Sequence, residues 1–108
     1  MTLESIIERL RKETDINPSD LSGMVQFLAA EYAYSASLFE ATQDGKPAAW
    51  LLLRDESKSA SEADHKWSAT PQGIGEGRLR RKLKVITLLL SSLRARLHVR
   101  DMEAKNIV

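Results

Sequence analysis

Few side chains in this sequence stand in a spacing that could do covalent chemistry. The two histidines, His65 and His98, are far apart in the chain. His98 and Asp101 fall three residues apart, on one side of a helix, but a metal site needs at least one more ligand. There is no cysteine. That removes a disulfide scaffold, a zinc finger, a thiolate nucleophile and an iron–sulfur centre. The acids are scattered as Asp55-Glu56, Glu62 with Asp64, and Asp101 with Glu103. Helix capping and helix charge account for such placements. No Ser/His/Asp pattern and no paired-carboxylate cluster is present, so the expectation is a protein that is not an enzyme and uses neither metal nor cofactor. No small-molecule substrate suggests itself.

Gly73-Ile74-Gly75-Glu76-Gly77-Arg78 stands at the opening of a helical pattern, where anions can bind. No strand precedes it, and the Gly-Lys-Ser/Thr ending of a phosphate-binding loop is missing. With Thr70 and Pro71 it reads as a linker or hinge.

The clearest chemical signal is cationic. The net charge is only +1, from 16 Lys/Arg and 15 Asp/Glu. Yet residues 1–77 carry 7 bases and 13 acids, a net of −6, whereas residues 78–108 carry 9 bases and 2 acids, a net of +7. From Arg78 to Arg100 there are six Arg, two Lys and no acid. The cations form two groups: Arg78, Arg80, Arg81, Lys82 and Lys84, then Arg94, Arg96 and Arg100. Arginine suits planar carboxylate or phosphate contacts. Two readings stay open. The basic segment folds back on the acidic one, or Arg78, Arg80, Arg81, Lys84, Arg94, Arg96 and Arg100 bind nucleic acid or an acidic partner surface. Positive charge at a helix start opposes the dipole and asks for a countercharge nearby. Among the aromatics, Tyr32 and Phe39 fall on a helical stripe and read as core. Tyr34 and Trp67 lie off the stripes and read as interface candidates able to stack on a base.

The elements that must carry these groups are helices; no strand alternation of any length appears. An N-terminal helix spans about 1–14, with Leu3, Ile6, Ile7 and Leu10 at helical spacing and Thr2 or Ser5 as cap. A second element spans 18–56. Asn17 caps it, Pro18 opens it, and Leu21, Val25, Leu28, Tyr32, Ser35 and Phe39 step by 4, 3, 4, 3, 4. Gly45 and Pro47 kink or interrupt it. Ser59 and Glu62 form a capping box that opens a short helix over 59–68. The last helix spans 77–105, with Leu79, Leu83, Ile86, Leu90, Leu93 and Leu97 in the same rhythm. Val85, Leu88 and Leu89 widen its apolar stripe, which suggests two neighbours, one of them another subunit. The expected architecture is all-α: a single helical domain over 1–108, built as an antiparallel helical hairpin or small bundle with a long C-terminal helix, self-associating into a homo-oligomer. The charged N-terminus is not a signal peptide, and apolar runs such as Val85 to Leu90 are far short of a membrane span. A cytoplasmic protein with no membrane partner is the expectation.

Three stretches also carry a resemblance: Arg54-Asp55-Glu56-Ser57-Lys58-Ser59-Ala60-Ser61-Glu62-Ala63, Ser91-Ser92-Leu93-Arg94-Ala95-Arg96-Leu97, and Glu103-Ala104-Lys105-Asn106. They resemble small all-helical proteins of phages and prophages, often encoded near single-strand-annealing recombinases or single-strand DNA-binding proteins. The resemblance implies an accessory role beside nucleic-acid processing. It transfers no functional residues.

Overall fold

A computed structural model of the chain describes residues 1–106, and within them every regular element is a helix. These are α1 (Leu3–Lys12), α2 (Pro18–Asp55), α3 (Ala60–Ala69) and α4 (Pro71–Asn106). The fold class is all-α with a long C-terminal helix. The chain divides into two compact units, Met1–Ala33 with Val85–Val108, and Tyr34–Lys84.

Each helix starts where a side chain satisfies its orphan amides. The Thr2 hydroxyl accepts the Ser5 amide at 3.0 Å while the Ser5 hydroxyl accepts the Thr2 amide at 2.9 Å. Asn17 accepts the Asp20 amide at 2.8 Å, directly before Pro18. Ser59 accepts the Glu62 amide at 3.1 Å, and the Glu62 carboxylate accepts the Lys58 amide at 3.0 Å. That amide, more than the nearby Lys66, holds the Glu62 carboxyl below its ordinary range. Thr70 accepts the Gly73 amide at 3.0 Å, directly before Pro71.

This last cap corrects the linker reading. Residues 71–77 are the first turns of α4, not a hinge, and the helix begins six residues before the expected start at 77. Thr70-Pro71 repeats the cap-then-proline signature of Asn17-Pro18. None of the glycines has a positive φ. Gly73 serves close approach instead. A Cβ there would lie 1.9 Å from the Trp67 carbonyl oxygen, so only glycine lets α4 start beside the last turn of α3.

In the first unit, Ile6, Ile16, Leu21, Met24, Leu28, Ile86, Leu90 and Leu93 form one core, edged by Leu3, Leu10, Val25, Phe27, Leu89 and Leu97. The helices run antiparallel here. Leu21 shares a groove with Ser92 and Ala95, while Ala29 and Tyr32 share another with Thr87 and Leu90. Two core expectations change. Tyr32 is 41% exposed, and Met24 is buried where the spacing predicts Val25, which is only half-buried. Of the wider α4 edge, Leu89 joins the core, whereas Val85 and Leu88 face solvent.

In the second unit the two long helices are again antiparallel: Phe39 lies by Arg80, and Gln43 and Lys46 by Glu76. Helix α2 continues through Gly45 and Pro47 without interruption. A proline inside a helix costs about 3 kcal/mol. Side chains on both sides of it offset that cost, Gln43 and Lys46 through Glu76, and Trp50 through a 2.9 Å hydrogen bond from its Nε1 to Asp64. Helix α3 packs in through Ala63 and Trp67. Trp67 is only 6% exposed, so it is a core residue of this unit and not the surface aromatic its spacing suggested. Ser35 is fully buried, and its hydroxyl has no partner among the described residues.

Candidate functional site

The seven predicted cations divide between the two units. Arg78, Arg80, Arg81 and Lys84 belong to the second, and Arg94, Arg96 and Arg100 to the first.

Three of the seven are largely used by the fold. Arg96 is half-buried and donates to the carbonyls of Leu10 and Glu13, at 3.3 and 3.4 Å. These are orphan acceptors at the end of α1, and a cation is favoured there by the helix dipole as well. Arg100 is half-buried and paired with Asp15. Arg80 reaches Glu76 at 3.3 Å and stacks over the Phe39 ring at 5.6 Å. The expectation that the basic segment meets the chain's own acids is thus met at Arg80 and Arg100, whereas Arg96 is taken up by backbone carbonyls.

The other four are exposed, and none has an internal partner among the described residues: Arg78, Arg81, Lys84 and Arg94. Arg94 edges the shallow groove of Ala29, Tyr32, Thr87 and Leu90. Arg78, Arg81 and Lys84 follow one another at three-residue steps, so they share the outward side of α4. The helix starts at Pro71, so Arg78 lies beyond its second turn. The dipole penalty expected from a start at 77 has faded by that point. These three cations are exposed and not committed to a contact among the described residues.

A cluster not evident from the sequence lies beside them. The Glu76 side chain is 9% exposed and accepts from Gln43 at 2.7 Å and Lys46 at 3.1 Å. Burial raises its pKa, but the bonds from Gln43 and Lys46 and the charges of Lys46 and Arg80 outweigh it, so the carboxyl lies below its ordinary range. Lys46 also sits 5.5 Å above the Trp67 ring. Only the Glu76–Arg80 member, an i,i+4 pair, was open to sequence reasoning. The cluster is a structural clamp: its one anion is fully occupied by three donors.

Among the described residues no group of three or more His, Asp or Glu is placed to hold a metal ion, and no helix is long and apolar enough to cross a membrane. Set against protein-family models, curated proteins and solved structures, the chain matches none of them.

Proposed function

We propose that this is a non-enzymatic accessory protein of the phage or prophage type that binds nucleic acid, or a protein that processes it, through the arginine-rich helix α4. One observation carries the reading: Arg78, Arg81 and Lys84 stand on one side of α4, exposed and without an internal partner among the described residues, in a stretch containing no acid. Such an array contacts phosphates without reading bases. The alternative is a protein-directed inhibitor or adaptor acting on a host defence or nuclease complex, or a structural oligomer subunit. The exposed apolar residues of α2, Leu38, Leu51 and Leu52, favour that second reading.

Fluorescence anisotropy of labelled single- and double-stranded oligonucleotides tests the first. If the three cations each meet a phosphate, log affinity falls with log salt at a slope of about −2 on single strands. Arg78→Glu with Arg81→Glu should remove binding. Arg80 is left alone because it holds Glu76. No binding at ~50 mM salt, where the phosphate term is strongest, or binding indifferent to the double reversal, would overturn the reading.

A further inference from the structure

The outward side of α2 in the second unit is as one-sided in charge as that of α4, and opposite in sign. Tyr34, Leu38 and Leu52 stand at heptad positions and are exposed, to 63% and 69% at the two ends. Glu40, Asp44 and Asp55 flank them, all exposed and without an internal partner among the described residues. The two cations of this stretch are turned elsewhere, Lys46 to Glu76 and Arg54 to the Ser57 carbonyl. The result is an apolar strip edged only by acids. On α4 of the same unit, Ile74 is 44% exposed and shares a side with Arg78 and Arg81, with Lys84 one step on. This is an apolar residue edged only by bases.

Both sides point away from the contact that α2 and α4 make with each other in this unit, so one chain cannot bring them together. We infer that a second copy of this chain does: the acidic side of α2 in one copy docks on the basic side of α4 in the next. Charge complementarity selects this pairing. A symmetric contact of α2 with α2, or α4 with α4, would set like charges against each other. The contact is head-to-tail, so it builds rings or open chains of copies and not a closed two-fold dimer. It requires no nucleic acid and does not rest on the preceding reading.

Light scattering after size exclusion, on the whole chain without nucleic acid, tests it. The wild type should grow in mass with concentration at ~0.1 M salt and return to the 12.1 kDa monomer at ~1 M, where the screening length falls from about 10 to 3 Å. Glu40→Lys with Asp44→Lys should be monomeric at either salt, as should Arg81→Gln with Lys84→Gln. Mixed in equal amounts, the two variants keep one native pairing between them and should form a capped pair of twice 12.1 kDa. All four positions are exposed, and circular dichroism checks that helix content is kept. Leu52→Gln, which leaves the charges alone, should weaken association at least fivefold. A wild type that stays monomeric at low salt, variants that still self-associate alone, or a mixture that yields no pair would each overturn the inference. Both proposals draw on Arg78, Arg81 and Lys84, so oligonucleotide binding is read on Glu40→Lys with Asp44→Lys, which keeps these cations and should not self-associate, and either proposal can then fail while the other stands.

Discussion

Removing the ammonium of Lys46 should destabilise the second unit more than its surface appearance suggests. Lys46 keeps 29% of its side-chain exposure, but its partner Glu76 keeps only 9%. Lys46→Met fills similar volume and leaves the Glu76 carboxylate with Gln43 and the more exposed Arg80. The loss is one charge-assisted hydrogen bond, worth about 1.5–3 kcal/mol, and the contact with the Trp67 ring, worth about 0.5–1 kcal/mol. A cost of about 2–4 kcal/mol is expected. Glu76→Gln should cost about 1–2 kcal/mol, because the amide still bonds one neighbour. The double variant should cost less than the sum, by about 1 kcal/mol or more. Urea unfolding followed by tryptophan fluorescence suits the measurement, since Trp50 and Trp67 are the only tryptophans and both belong to this unit. The cycle also has a pH signature. The folded Glu76 carboxyl titrates below its ordinary value of 4.5, so its contribution is complete above that value and is lost as pH falls through the folded one. The coupling should therefore be present at pH 7 and shrink toward zero as acid protonates Glu76. Strict additivity at pH 7, or a Lys46→Met cost below about 0.5 kcal/mol, would refute the clamp.

Two further substitutions separate close packing from helix propensity. Gly73→Ala must displace the Trp67 backbone and should cost roughly 2–4 kcal/mol, whereas Gly75→Ala, with open space around its Cβ, should gain about 0.5–1 kcal/mol, both read by the same fluorescence transition. Ser35→Ala removes a buried hydroxyl that has no partner among the described residues and should raise stability by about 1 kcal/mol; an unchanged or lower urea midpoint would show that the hydroxyl is satisfied.

Much of the fold was legible because its signals are local. Caps at Thr2, Asn17 and Ser59 open α1, α2 and α3, and the leucine rhythm of α4 places Ile86, Leu90 and Leu93 in the core. The errors arise where a tertiary contact overrides a local one. Glycines at 73, 75 and 77 suggest flexibility, but the Trp67 carbonyl makes the first of them a packing requirement. Heptad counting puts Tyr32 inside, yet the buried stripe of α2 runs Leu21, Met24, Leu28 and Ser35, stepping first by 3 and then by 4 where the count gives 4 and then 3, which leaves Tyr32 exposed. The cation cluster was visible as composition. Which members are committed was not, because Arg96 and Arg100 meet groups more than eighty residues away in the chain.

Helix α1 is ten residues long, too short to persist in water by itself. It survives because Ile6 is buried in the core and Arg96 grips its final carbonyls. Protection of its amides from hydrogen exchange should consequently be a loan from the surrounding core. Protection across 3–12 gauges how intact that core is, in the half of the chain where no indole can serve as a witness.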